Sequence, residues 1–389
     1  MTDRVRTLTE LLSAASSLRF LEAPLTEDLG LAESLPFPFL ALVGQSEMKL
    51  ALMLSLINPN VDGVLLIGNR GTGKSTAVRG LINLLPEVDR SLCLYGCLPE
   101  DIETGGIDEV CPDCARKYGE GETLVYRDSV QLIELPLNAK LEDVIGGLDS
   151  RTRAHHRHRL RRGILSRADR NLLYIDEVNM LDDEIVDAIL DAASQGAYTV
   201  RRGSIAATYR SRFVLIGSMN PEEGRLRPQI LDRFGLRVLV SGLKGKKQRL
   251  EAYQRTIAYR TNPRQVVLEY ANATALVRAE LQGARDAMPR VAITKEAERY
   301  GLDLIKEMGI DSLRAEISIF EAARARAVAD GRRKASTKDI RAVASIAIRL
   351  RRSEFMEDFF KAQRREQRRL EKLLKQPASG SDKKPRTKS

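Results

Sequence analysis

GVLLIGNRGTGKSTAVRG, residues 63–80, decides how the rest of the chain is read. The apolar run VLLI gives way to three glycines set among polar residues, then to Lys74, Ser75 and a helical pattern. GNRGTGKS (68–75) fits G-x-x-x-x-G-K-[ST] in the context that pattern requires, after a strand and before a helix. The order suits a phosphate. Glycines let backbone N–H groups curl around phosphate oxygens, and the opening turn of the helix adds partial positive charge. Contacts to ATP are therefore expected at Gly68, Gly71, Gly73, Lys74, Ser75 and Thr76. Lys74 would reach the β and γ phosphates as a point charge, and the Ser75 hydroxyl would ligate the Mg²⁺ that accompanies ATP.

Four more apolar runs follow that strand: VQLIELP (130–136), NLLYIDE (171–177), RFVLIGSMN (212–220) and LRVLV (236–240). They are too uniformly apolar to be half-exposed, which predicts a five-stranded parallel sheet covered on both faces by helices. Helical patterns at 76–85 and 183–193 supply part of the cover. The expected fold class is α/β, with a core over about residues 36–242 preceded by an N-terminal arm, 1–35. PFPF (36–39) closes that arm, because two prolines oppose a helix. Within the core lie a cysteine-containing loop, 91–127, and an arginine-rich insert, 150–170. From Lys246 the period becomes helical throughout, with helices expected at 246–259, 265–281, 294–308, 312–330 and 337–351. Residues 243–352 thus read as an all-α domain, and Ser336 with Asp339 reads as a capping box. A basic helix over 353–375 and a disordered tail, QPASGSDKKPRTKS (376–389), complete the chain.

The totals describe a soluble globular protein. Of 389 residues, 43% are hydrophobic and 30% charged, and no apolar run approaches the ~20 residues of a membrane span. The first twenty residues carry acids and no long apolar segment, so a secretory signal is not expected and a cytoplasmic location is. The net charge of +10 raises nucleic acid as a partner. However, residues 349–389 carry 14 Lys/Arg against 6 Asp/Glu, and residues 151–170 carry 8 Arg against one Asp, leaving the remainder slightly acidic. Charge confined to a tail and an insert is not a nucleic-acid groove, and without Trp the chain is poor in stacking platforms, so neither nucleic acid nor membrane insertion is expected.

LLYIDE (172–177) is a strand ending in two carboxylates. Beside a phosphate loop, Asp176 would hold Mg²⁺ through water and Glu177 would orient and deprotonate the attacking water. Asn220 ends the next buried strand and could hold the same water. Arg233, in PQILDRFG (228–235), sits on a rim with only Asp232 as a nearby acid, which suits an arginine reaching into a neighbouring subunit's γ-phosphate. Arg314 falls in the first turn of a predicted helix, an unfavourable place for a cation that points to an anionic partner.

These residues resemble a known family. The stretches 43–81, 172–191 and IGSMNPEEGRLRPQILDRFGLRV (216–238) look like magnesium chelatase subunit I, and 311–332 and 348–352 resemble its helical C-terminal domain. That subunit is the small AAA+ ATPase of the complex that inserts Mg²⁺ into protoporphyrin IX for chlorophyll and bacteriochlorophyll synthesis. The resemblance runs from about residue 37 to 352. It implies an AAA+ core followed by a lid. Gly68, Gly73, Lys74 and Ser75 match Walker A, and Asp176 and Glu177 match Walker B. Asn220 matches sensor 1, Arg233 the arginine finger and Arg314 the sensor 2 arginine. Val43, Gly44 and Gln45 match the lining of the adenine pocket. The family's hairpin insert corresponds to 133–149 with 151–170. By the same likeness the chain forms a hexameric ring and works with the chelatase subunits D and H. It pairs with the first and drives the second, which binds the porphyrin, without binding porphyrin itself. A related AAA+ remodelling chaperone, cobaltochelatase-like or MoxR-like, fits many of the same motifs. A scaffold that binds ATP without turnover fits less well, since Glu177 and Arg233 are intact.

Two features fall outside that resemblance. Cys93, Cys97, Cys111 and Cys114 lie within 22 residues as C-x₃-C-x₁₃-C-x₂-C. A tetrahedral Zn²⁺ site, a redox-switching CPDC pair and four unlinked thiols are all compatible with that spacing. His155, His156 and His158 sit among arginines in RAHHRHRLRR (153–162), where a cation would be repelled, so an exposed basic loop is expected.

Overall fold

The computed structural model describes residues 35–351 other than 86, 149–159, 203–204 and 225. The N-terminal arm, the three histidines and the basic tail lie outside the described residues. All five expected strands form: β1 (Val64–Ile67), β2 (Leu132–Leu135), β3 (Leu172–Ile175), β4 (Val214–Met219) and β5 (Leu236–Leu239). They make one parallel sheet in the order β5-β1-β4-β3-β2. The strand that leads into the phosphate loop therefore lies beside β4, and β4 beside the carboxylate strand β3.

Alternation along these strands divides two apolar layers. Val64, Leu66, Leu172, Tyr174, Ile216 and Val238 face one side, against α1 (Ser46–Ile57). Leu65, Ile67, Leu173, Ile175 and Leu215 face the other, against α3 (Asp183–Gln195). Each such side chain, removed fully from water, contributes roughly 1.5–3 kcal/mol. The helix after the phosphate loop, α2 (Lys74–Gly80), runs into a 3₁₀ turn over Leu81–Leu84.

A short rim helix, α4 (Pro228–Arg233), precedes β5. Beyond β5 the chain is helical, with α5 (Lys246–Thr261), α6 (Pro263–Ala287), α7 (Lys295–Glu307), α8 (Leu313–Ala329) and α9 (Thr337–Ile348). Ser336 and Asp339 form the expected reciprocal cap of α9. A two-residue parallel bridge, Ala292–Ile293 with Lys334–Ala335, interrupts the helical run. The helical region shares one apolar cluster with α1 and the sheet: Leu52, Val64, Ala322 and Val343 belong to it together. Among the described residues no helix is long and apolar enough to cross a membrane.

Elements without a strong apolar period were not legible in the sequence. Residues 87–91 pair antiparallel with 125–129 as the stem of the cysteine loop, and short helices cover Pro99–Gly105 and Pro112–Gly119 inside it. Residues 197–202 pair with 205–210 in a second hairpin. In the expected insert, Leu132–Leu135 is a core strand, and only 146–148 pair with 160–162 as a hairpin.

Candidate functional site

The phosphate loop takes the geometry its glycines allow. Gly71 and Gly73 have φ of 76° and 87°, and a Cβ built on either would meet nothing within 4 Å. Their backbone is thus left-handed and borders open space, as a phosphate cradle requires. Gly68 serves differently: a Cβ there would lie 2.0 Å from the Val240 carbonyl oxygen, so glycine lets β1 and β5 close up behind the loop. Lys74 Nζ donates to the carbonyl oxygens of Gly68 at 2.5 Å and Asn69 at 3.0 Å. Burial lowers the Lys74 pKa, and Asp176, Glu177 and Glu223 oppose that shift.

Asp176 meets the loop from β3. Ser75 Oγ donates to its Oδ2 at 3.0 Å, the Tyr174 hydroxyl lies 2.8 Å from its Oδ1, and Ser218 Oγ also donates to Oδ1. Burial alone would raise the Asp176 pKa, but these hydroxyls outweigh it and hold the carboxyl below its ordinary range. Burial pushes the Tyr174 pKa up, so that hydroxyl keeps its proton. Glu177 has φ of 52°, a left-handed conformation uncommon for a non-glycine residue, and its N–H donates to Ser218 Oγ at 3.2 Å. Its carboxylate lies 3.5 Å from Arg70, which is also paired with Glu223. Asn220, 3% exposed, ends β4, and its Oδ1 accepts from the Glu222 N–H at 3.3 Å. A pocket of about 200 Å³ is lined by Lys74, Ser75, Asp176, Glu177 and Asn220, with Gly71, Gly73 and Thr76.

A larger pocket, about 690 Å³, adjoins it through Gly71, Gly73 and Thr76. Val43 and Gln45 line it, and Gln45 Nε2 donates to the Ser241 carbonyl at 2.7 Å. Gly44 turns between them at φ of 64°, and a Cβ there would come within 2.9 Å of Leu243 Cδ2. The opposite wall comes from α5, with Arg249, Thr256, Tyr259 and Arg260. Sequence reasoning missed this wall, because polar residues on a half-exposed helix carry no distinctive pattern. It also missed Tyr174 and Ser218, although hydroxyls within otherwise apolar buried strands were a usable signal.

Arg233 and Arg314 come together, but elsewhere. Both line a cleft of about 40 Å³ with Pro59, Asp62 and Leu190, and neither lines the pockets around the phosphate loop. Arg233 pairs with Asp191 at 2.5 Å rather than with Asp232, since adjacent residues on a helical turn point ~100° apart. Asp232 instead meets Arg351 at 2.8 Å and Arg314 at 3.9 Å from the helical region, and Arg237 of β5 at 3.5 Å.

The four cysteines also converge, with all Sγ atoms within 4.8 Å of one another.

An AAA domain model matches residues 62–223, and an AAA lid domain model matches 302–373. The chain is 39% identical over 322 residues to the magnesium-chelatase subunit ChlI homolog of Methanocaldococcus jannaschii, covering 82% of this chain and 87% of that one. It is also 39% identical to the magnesium-chelatase 38 kDa subunit of Acidiphilium rubrum, covering 81% and 90%. The chain belongs to the magnesium-chelatase subunit ChlI family. A solved structure from Cytophaga hutchinsonii, 20% identical, matches the fold at a TM-score of 0.50 over 80% of this chain and 83% of that one. Within this ChlI-family chain, the AAA match spans β1 to β4, and therefore both the phosphate loop and the carboxylate strand. The lid match takes in α8 and α9.

Proposed function

We propose that this chain is the ATP-hydrolysing motor subunit of a magnesium chelatase, and that its ATP sites are completed between neighbouring copies. Two separate sets of residues carry the reading. Lys74, Ser75, Asp176, Glu177 and Asn220 line one pocket, while Arg233 and Arg314 line a different cleft. A single chain thus offers the grip and the base at one place and the arginines at another, as expected if the arginines serve the next subunit in a ring.

The backbone of Gly71 and Gly73 would cradle the phosphates, with Lys74 against the β and γ oxygens. The donor set fits Mg²⁺: Ser75 Oγ and the ionised Asp176 carboxylate lie 3.0 Å apart at the pocket wall. Bound Mg²⁺ would neutralise charge on the β and γ phosphates. Glu177 would orient and deprotonate water, and Asn220 would hold that water in line. Val43, Gln45 and the α5 residues would enclose the base. Arg233 and Arg314 would stabilise the neighbour's transferring phosphoryl group. Asp232 ties Arg314 to Arg237 and Arg351, so loss of γ-phosphate contacts at Arg314 would be felt by the helical region.

On this reading the chain works in the cytosol as a hexameric ring, together with the chelatase subunits D and H. It pairs with the first and spends its motion on the second, which holds protoporphyrin IX. Reconstitution tests the assignment. The chain with both partner subunits, ATP and Mg²⁺ should convert protoporphyrin IX to its fluorescent Mg form, and a Lys74→Ala chain should not. Robust ATP hydrolysis without metal insertion, alongside partner subunits that work with another ChlI protein, would contradict it.

A further inference from the structure

The segment 91–125 has too little apolar material to hold itself together. Only Cys97, Val110, Cys114 and Leu124 form its buried cluster, with Ile102, Ala115 and Val125 partly covered around it. A core of that size needs a covalent or metal staple. The stem at 87–91 and 125–129 closes the base of the segment, with Leu92 N–H donating to the Leu124 carbonyl at 2.9 Å.

At its centre the four thiols surround one point. All sulfurs lie within 4.8 Å of one another, which places them as one quartet rather than two separated pairs. A Zn–S bond of ~2.3 Å sets tetrahedral sulfurs a little under 4 Å apart, so a small adjustment satisfies the metal. Backbone and hydroxyl groups donate to two of the sulfurs. Cys93 Sγ accepts from the Cys97 N–H at 3.4 Å and from Ser91 Oγ at 3.4 Å, and Cys97 Sγ accepts from the Cys111 N–H at 3.3 Å. Such donors to sulfur are the outer shell that orients metal-bound cysteines. Cys111 occupies the N-cap position of the helix Pro112–Gly119 and Cys114 lies in its first turn, close to the positive end of the helix dipole. Cys97 and Cys114 are each 3% exposed, which suits a closed structural site and not a reactive pair.

The stapled segment grips the core at named points. Arg212, which leads into β4, donates to Asp101 at 2.9 Å and to the Gly96 carbonyl at 2.9 Å. Arg210 pairs with Glu109 at 2.9 Å, and Tyr95 stacks on Tyr209 at 5.6 Å. A metal at the cysteines would therefore fix the strand that ends in Asn220.

We propose that Cys93, Cys97, Cys111 and Cys114 together bind one structural Zn²⁺ that staples residues 91–125 onto Arg210 and Arg212. The binding releases the thiol protons to solvent and involves no change of oxidation state. The full chain, purified in reducing buffer without chelator, should carry about one Zn²⁺ per chain by elemental analysis. A mercurial reagent should release that metal to a colorimetric indicator at about four equivalents, and Co²⁺ put in its place should give the spectrum of a tetrahedral thiolate site. Cys111→Ser and Cys114→Ser chains should hold less than about a tenth of the metal. Since those variants could fail to fold, the titration of the unaltered chain stands by itself. Metal release should also speed proteolytic nicking within 91–125 about tenfold or more while fluorescent ATP analogue binding changes by less than about threefold. A reduced chain that neither carries Zn²⁺ nor takes up one added equivalent would overturn the proposal. So would stoichiometric iron, or a mass four hydrogen atoms light from two disulfides. Unchanged nicking after full release would overturn the stapling role. ATP binding that persists in any of these outcomes leaves the motor assignment standing, so the two readings fail separately.

Discussion

Asp176 stays ionised although burial works against it, because three hydroxyls converge on its carboxylate. Tyr174→Phe removes one of them and leaves the rest of the buried ring in place. We expect a loss of about 1–2 kcal/mol in denaturant unfolding, together with a several-fold higher Mg²⁺ concentration for half-maximal ATP turnover. Glu177 faces a different demand, since its carboxylate would act on water and not on the metal. Glu177→Gln should lower kcat for ATP hydrolysis by about 100-fold or more and leave nucleotide affinity within about threefold, read by single-turnover kinetics and equilibrium binding. A matched fall in affinity would move Glu177 from chemistry to binding. Lys74, Ser75, Asp176, Glu177 and Asn220 were legible because backbone geometry ties each to a strand end or a glycine turn. Tyr174, Ser218 and the α5 wall were not read, because their roles depend on which strands and helices become neighbours.

At the scale of elements, a shared apolar cluster joins the helical region to the sheet, and a buried ionic group adds to it. Asp232, at the end of α4, faces the fully buried side chains of Arg237 and Arg351. Burial pushes the Arg237 pKa down to about 9, with Arg351 adding to the shift and Asp232 opposing it. Asp232→Asn would leave two buried guanidiniums without their shared counter-charge; because Asp232 itself is 36% exposed and partly screened by water, unfolding free energy should fall by about 2–3 kcal/mol, less than for a fully buried pair. A change below about 1 kcal/mol would show that the latch contributes little. The α9 cap gives a pH signature. Burial would raise the Asp339 pKa, but hydrogen bonds from Arg332 and Ser336 outweigh it and hold the group below its ordinary value of 3.8. A depressed folded-state value means that the stabilisation is complete above 3.8 and is lost as pH falls through the lower folded value. Asp339→Asn should therefore be less stable than the parent near neutral pH, and the gap should close in acid, measured by urea unfolding across that range. The five core strands could be read from their uniform apolar runs and most helices from their period. The hairpin 197–202/205–210 could not, because YTVRR and IAATYR mix polar and apolar residues without a buried run.

For the whole molecule, the decisive fact is that Arg233 and Arg314 share a cleft that the phosphate loop does not line. The sequence marked both arginines but could not place them together, since they lie 81 positions apart on α4 and α8. A ring that completes each ATP site from two copies makes a specific demand on mixtures. Glu177→Gln copies keep Arg233, and Arg233→Ala copies keep Glu177, so each should be inactive alone. Mixed in equal amounts, they should regain ATP hydrolysis at about a quarter of the unaltered rate, because about a quarter of interfaces unite an intact base with an intact arginine. Hydrolysis by Arg233→Ala alone at the unaltered rate, or a mixed ring as silent as its parts, would contradict a site shared between subunits.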